Sequence, residues 1–215
     1  MCIRDSLMIE LFYYPTPNGR KISILLEELE LEYKLTKIDI TKNEQFSDKF
    51  SKMSPLNKIP LIIDNGETVF ESGAILIYLA KKNNFKFYPV RYEKNINEWL
   101  MVQVSFVGPM LGQLHFFHKF NKGKSDFAEN RFLDLAKKIY DYLDKQLSKN
   151  KYLACDEYTI ADIATFPWLC RHEWHDVGIK KYKNLSRWYE DIAKRKAVIK
   201  GYDPENLGEK IPVAS

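Results

Sequence analysis

From Ile9 to Lys82 the apolar positions switch repeatedly between two periods. Ile9-Glu10-Leu11-Phe12-Tyr13 reads as a short strand, and Ile22, Leu25, Leu26 and Leu29 then recur at i, i+3, i+4 and i+7, one face of a helix. Alternation returns from Tyr33 to Ile40, followed by a polar helical stretch from Asn43 to Met53. Leu61-Ile62-Ile63, the turn Asp64-Asn65-Gly66, and Thr68-Val69-Phe70 have the punctuation of a β-hairpin, and Gly73 to Lys82 closes as a helix. The order βαβαββα, with a first crossover long enough for a parallel pair, predicts a small mixed sheet with helices on it.

Beyond the polar break at Lys81 to Asn84 the strand signals stop. Glu93 to Phe120 reads as helix, and Phe132, Leu135, Ala136, Ile139 and Leu143 trace a second stripe. Thr159-Ile160-Ala161-Asp162 has the form of a capping box opening a third helix, with Asp in place of Glu. Leu185 to Lys196 is a fourth, and Gly201 to Ser215 reads as a loose tail. The second half is therefore all helical.

Composition narrows the class. The 215 residues are 45% hydrophobic and 14% aromatic, as in a folded protein. The net charge of +4 comes from 33 basic and 29 acidic residues mixed along the chain. Lys81-Lys82, Lys137-Lys138 and Lys180-Lys181 read as solvated surface rather than a nucleic-acid stripe, so no nucleic-acid partner is expected. No uninterrupted apolar run reaches the ~18 residues of a bilayer span, so no membrane association is expected either. Met1 to Leu7 lacks the apolar centre of a signal peptide, and Met8 directly precedes the first strand. Met8 thus reads as the start of the fold and the leader as a non-native or disordered extension. Cys2, Cys155 and Cys170 show no C-x-x-C and no metal spacing, which points to a reducing cytoplasm and inert thiols.

Three turns carry candidate chemistry. In Pro15-Thr16-Pro17-Asn18-Gly19, Thr16 suits the N-cap and Pro17 the first helical position. The Thr16 hydroxyl and Asn18 amide then stand at a helix N-terminus, where free N–H groups favour an anion, although Thr16 alone reads equally well as a plain cap. In Phe70-Glu71-Ser72-Gly73-Ala74, Ser72 is an N-cap candidate, with Gly73 allowing a ligand close to the backbone. Ser72 would hold a carboxylate and Glu71 an ammonium group, the two charges of an amino-acid end; a turn with a surface Glu is the simpler alternative. In Asn57-Lys58-Ile59-Pro60, a Pro at a strand's first residue is permitted, and a cis bond would expose the Ile59 N–H and C=O to a peptide-like ligand.

These turns end adjacent elements of one unit, and here a family becomes visible. The first domain resembles a thioredoxin fold, and Met8 to about Tyr202 resembles the cytosolic glutathione transferases. Phe70-Glu71-Ser72-Gly73-Ala74-Ile75 carries the glutathione-site likeness. PTPNG with Gly108-Pro109-Met110-Leu111-Gly112-Gln113 is most similar to the nu-class disulfide-bond oxidoreductases, relatives of the yeast nitrogen-regulating prion protein. The resemblance implies an α/β thioredoxin-like domain at 8–83, an all-α domain at 92–202 and a tail at 203–215. It also implies glutathione as co-substrate: Glu71 and Ser72 at the γ-glutamyl end, Ile59 on the cysteinyl backbone, Lys58 and Gln45 at the glycyl side. Thr16 and Asn18 would then be the catalytic pair that stabilises the ligand's thiolate, since free thiols ionise only near pH 8.5. A two-fold homodimer is implied as well, with Arg131 crossing to the neighbouring subunit's glutathione carboxylate.

No Cys stands at positions 15 to 19, so the chain has no thioredoxin-like or omega-like cysteine of its own, and the resemblance implies that a bound glutathione supplies the sulfur. Tyr13 and Tyr14 read as packing residues. The pairs His115 with His118, and His172 with His175, have metal-like spacing but no third ligand, and no metal is expected. The leading function is a cytoplasmic glutathione-dependent disulfide reductase. The second is a transferase conjugating glutathione to electrophiles, with Phe106, Met110, Phe116 and Phe117 lining an apolar pocket or forming helix core. The third is a non-catalytic binding or regulatory module on the same fold.

Overall fold

A computed structural model describes residues 8–215; the expectations for the leader and for Cys2 lie outside the described residues. The leucine stripe of the first helix decides the layering. β1 (Ile9–Tyr13) runs into α1 (Pro17–Glu28), and β2 (Tyr33–Lys37) returns parallel to β1. α2 (Asp48–Ser51) is a single turn, β3 (Leu61–Asp64) and β4 (Glu67–Phe70) form the hairpin, and α3 (Ser72–Lys82) closes the unit. The sheet order is β2-β1-β3-β4, with β3 antiparallel to both neighbours. This is the expected βαβαββα arrangement. Asn65 and Gly66 turn the hairpin at φ 51° and 83°, the left-handed pair that a two-residue turn needs.

Two elements are shorter than expected. β2 stops at Lys37 because the Asp39 carboxylate accepts from the Thr41 N–H and starts a 3₁₀ turn at Ile40–Lys42. The stretch read as one helix from Asn43 to Met53 is divided, since Asn43 is left-handed and the extended Ser47 begins α2 afresh.

The second domain consists of α4 (Glu93–Val102), α5 (Gly108–Leu114), α6 (Asp126–Leu147), α7 (Ile160–Leu169), α8 (Lys183–Ala193) and α9 (Lys196–Tyr202). α4 and α5 are joined by a π-helical segment, Gln103–Val107, and a second one, His115–Phe120, follows α5. The capping box of α7 is reciprocal: Ala161 N–H donates to Thr159 Oγ1, and Thr159 N–H donates to Asp162.

Val90–Phe120 forms one rod of 31 residues that is, by length and composition alone, apolar enough to cross a membrane. A core helix of a folded domain meets the same criterion. In the fold Leu100, Val107, Leu111 and Leu114 of this rod sit in the same core as α1, α3 and α7. That core runs through both domains, with α1 against the sheet on one side and against α7 and α9 on the other. Glu28 of α1 pairs with Arg195 before α9 through two bonds, at 2.5 and 2.8 Å.

The C-terminal segment is not loose. Asp203 accepts from the N–H groups of Leu207, Gly208 and Glu209, Glu209 pairs with the buried Arg20, and Ala214 is buried. Tyr189 on α8 donates to the Pro212 carbonyl at 2.7 Å. Local carboxylate caps and one buried arginine hold a segment whose composition alone suggests a tail.

Candidate active site

The PTPNG turn is built from its backbone outward. Thr16 is the N-cap of α1 and Pro17 its first residue, and the Gly19 N–H donates to Thr16 Oγ1 at 3.2 Å. A Cβ at Gly19 would stand 2.3 Å from the Tyr14 carbonyl oxygen, so no other residue fits that step. The Thr16 hydroxyl accepts this bond and still has its own proton to donate. Tyr13 is buried beneath the turn in a packing role, and burial raises its phenol far above the usual range.

Asn18 is half-buried at the centre of the cleft, and three cavities meet at it. One, of about 260 Å³, runs between Ile59, Glu71 and Ser72. A second, of about 530 Å³, opens past Thr16 towards Gln45 and Lys58. A third, of about 260 Å³, lies at the domain boundary against Lys21, Gln103 and Gly108. The structure therefore gathers Thr16, Asn18, Gln45, Lys58, Ile59, Glu71 and Ser72 around one cleft. Arg131 is not among them: it is exposed on α6 and has no ion-pair partner among the described residues.

Trp168 Nε1 is 3.1 Å from the side-chain carbonyl oxygen of Asn18. An indole N–H can only donate, so the carbonyl of Asn18 faces Trp168 and its NH₂ is left for the cleft.

The α3 end differs from the expectation in two respects. Glu71, not Ser72, is the N-cap, at φ 68° and ψ 117°, and no side chain caps the helix. A non-glycine residue in that region costs on the order of 1–3 kcal/mol and persists only where its surroundings enforce it. Ser72 is the first helical residue, and the open N–H groups behind it remain available to an anion. Gly73 does not make room for a ligand; a Cβ there would meet Val104 of the helical domain at 3.1 Å. Ile59-Pro60 is cis, as expected.

Sequence reasoning missed Lys21, Gln103, Asn57 and Trp168. The Lys21 ammonium donates to Ser72 Oγ at 3.2 Å and to Gln103 Oε1, tying α1, α3 and the π segment together. Complete burial lowers Lys21 to about 7, with Glu71 opposing the shift. Gln45 Oε1, Asn57 Oδ1 and Gln103 Nε2 are buried without protein partners, and each of these residues lines one of the three cavities. Acceptors at one end and a donor at the other suit a peptide with both N–H and carboxylate groups. Phe106, Met110, Phe116 and Phe117 line none of the three cavities. Phe106 and Met110 pack on the core, and Phe117 stacks on Phe132. The histidines do not pair by spacing: His115 Nε2 lies 2.9 Å from His175 Nε2 across the bundle.

Residues 8–81 match the glutathione S-transferase N-terminal domain, and residues 109–196 the C-terminal domain of the same family. The chain belongs to the glutathione S-transferase family. It is 38% identical to the disulfide-bond oxidoreductase YfcG of Escherichia coli strain K12, covering 94% of this chain and 98% of that protein. Among solved structures, a glutathione transferase from Burkholderia graminis with two glutathione molecules bound per subunit superposes with a TM-score of 0.88. It is 36% identical, over 94% of this chain and 90% of that one. A Pseudomonas putida glutathione transferase with one glutathione disulfide bound per subunit has a TM-score of 0.86. It is 34% identical, over 97% of this chain and 94% of that one. The likeness to disulfide-bond oxidoreductases that the PTPNG and GPMLGQ motifs indicated is borne out by YfcG.

Proposed function

We propose that this protein is a glutathione-dependent disulfide reductase whose nucleophile is the thiolate of a bound glutathione. The observation that carries the reading is the Asn18 amide. Its carbonyl is tied to Trp168 and its NH₂ faces a cleft formed with the end of α1. Neither Cys155 nor Cys170 lines that cleft, and burial pushes the Cys170 thiol up to about 12, which makes it a poor nucleophile. Asn18 and Thr16 donate to the ligand's sulfur. Ser72 and the open N–H groups of α3 hold the γ-glutamyl carboxylate and Glu71 its ammonium group. The Ile59 backbone pairs with the cysteinyl unit, and Lys58 and Gln45 meet the glycyl end.

The thiolate attacks one sulfur of a disulfide, the S–S bond breaks, and the departing thiolate takes a proton. A second glutathione thiolate then attacks the glutathione sulfur of the mixed disulfide, releasing the reduced substrate and glutathione disulfide. Two thiols are oxidised for each disulfide reduced. Relatives whose structures hold two glutathiones, or one glutathione disulfide, support a cleft large enough for both partners. The unpaired Cys155 and Cys170 support a reducing compartment, the cytoplasm. The test is a pair of turnover assays with glutathione, reduction of hydroxyethyl disulfide against conjugation of chlorodinitrobenzene. Reduction should dominate; fast conjugation with negligible reduction would make the protein a conjugating transferase instead. Neither activity, with no thermal shift on adding glutathione, would make it a binding module.

The assembly we infer is a two-fold homodimer in which Arg131 reaches the neighbouring subunit's glutathione. Its exposure and lack of an ion-pair partner among the described residues support this, and a guanidinium offers a carboxylate two parallel bonds. Mixing Arg131→Ala with Asn18→Ala subunits should raise activity above that of either variant alone, because each heterodimer regains one intact site. No recovery after subunit exchange would assign Arg131 to its own chain.

A further inference from the structure

The GPMLGQ segment lines one of the three cavities that meet at Asn18, through Gly108, Pro109, Gly112 and Gln113, and its two glycines share one helix face. Gly108 and Gly112 are four residues apart on that face of α5, and His115 lies a further three along. All three meet the same partner. A Cβ at Gly108 would stand 2.9 Å from Gln103 Nε2 and 3.3 Å from Trp168 Cε2, one at Gly112 would stand 3.5 Å from Trp168 Cη2, and the His115 ring stacks on the indole at 6.0 Å and 16°. His115 is itself backed by His175, stacked at 5.1 Å and 9°, and the Tyr140 hydroxyl is 2.7 Å from His175 Nδ1. Burial lowers His115 to about 4 and His175 well below its usual range, so this backing is uncharged in neutral solution. The indole is thus seated on glycines, braced by imidazoles, and held with its N–H directed at Asn18.

We propose that Trp168 is the positioning residue that sets the polarity of the active-site amide, and that Gly108, Gly112 and His115 form the bed that aims it. The proposal rests on the glutathione-thiolate reading. The two ends of an Asn side chain are nearly equal in shape but opposite in effect. Its NH₂ attracts a thiolate and its carbonyl repels one. A rotation that exchanges them turns a thiolate-stabilising group into a thiolate-destabilising one with almost no change in packing. The Trp168 N–H prevents the exchange, since it would then face another donor. The ring alone could not do this.

The test is Trp168→Phe, which keeps an aromatic ring on the bed and removes the N–H. The readout is the ionisation of the bound glutathione thiol, followed by its thiolate absorbance. We expect the bound thiol pKa to rise by about one unit, a roughly tenfold loss of thiolate in neutral solution. Turnover should fall by a similar factor and recover at alkaline pH. Affinity for S-methylglutathione, which has no ionisable thiol, should stay within about twofold of the parent. The Asn18→Ala/Trp168→Phe double variant should be no worse than Asn18→Ala alone, because two residues acting through one group are not additive. Gly112→Val retains the N–H but crowds the ring, since a Cβ there already touches only Trp168, and should shift the thiol pKa in the same direction; it decides the matter if Trp168→Phe does not fold. A Trp168→Phe protein whose thiol pKa matches the parent's, or a double variant whose losses multiply, would overturn the proposal. If the parent itself fails to lower the thiol pKa, the thiolate reading fails instead.

Discussion

Two helix N-termini face the cleft, and they are finished in opposite ways. α1 is closed by its own residues, with Thr16 Oγ1 accepting from Gly19 N–H and Pro17 removing one donor. α3 is left open, with Glu71 at φ 68° in the cap position and no side-chain bond to the N–H groups that follow. A closed end offers little to an anion except what its side chains add, so in the proposed function the working group at α1 is the Asn18 amide. An open end offers the backbone itself, which suits a full, permanent carboxylate. On the proposed function, one end is shaped for a charge that changes during the reaction and the other for a charge that does not.

If this contrast is right, the two ends should separate kinetically. Asn18→Ala should show the largest effect on turnover, a loss of about 1.5–3 kcal/mol in kcat/KM that lies mainly in kcat, roughly 10- to 150-fold. Turnover equal to the parent's would end the claim for α1. Ser72→Ala and Glu71→Gln should instead weaken glutathione binding by up to about tenfold and leave kcat nearly unchanged, measured by calorimetry beside steady-state kinetics. A kcat defect without a binding defect would erase the distinction.

Thr16 belongs to both roles, so its replacement should give a mixed and smaller result. Thr16→Ala should cost about 1 kcal/mol of stability through the lost cap, with a turnover loss smaller than that of Asn18→Ala, and Thr16→Ser should restore both. The last prediction concerns stability rather than turnover, at Lys21, which joins the two ends by donating to Ser72. Burial holds it at about 7 in the fold, whereas the unfolded chain returns it to about 10.4. Between those values the unfolded state binds more protons, so this residue makes stability rise with pH across that window. The thermal midpoint of the parent should therefore climb relative to Lys21→Met from about pH 7 to about pH 10. Parallel curves would show that Lys21 is not a depressed amine.

What could be read without coordinates follows the range of each signal. The βαβαββα order, the hairpin at Asn65-Gly66, the Thr16-Pro17 start and the capping box at Thr159 and Asp162 are all local, written in spacing and in residue types with fixed backbone preferences. So were the residues of the cleft that lie in such turns. Trp168 could not be found this way, since its partner is 150 positions distant and an indole in a buried helix reads as core. Lys21 and Gln103 were hidden for a related reason. A lysine in an amphipathic helix reads as surface, and no sequence rule marks the π segment that begins at Gln103 and joins it to Lys21. The tail misled through its composition, because what fixes it is Arg20 of α1 and not any pattern of its own.

The account depends most on the state of one sulfur. Titrating the thiol of bound glutathione by its ultraviolet thiolate absorbance, in the parent and in Asn18→Ala, measures that state without any substrate. The parent should ionise the bound thiol at least about one unit below the ~8.5 of a free thiol, and Asn18→Ala should return most of that shift. A bound thiol that titrates like free glutathione in the parent would contradict the claim that the end of α1 holds a thiolate.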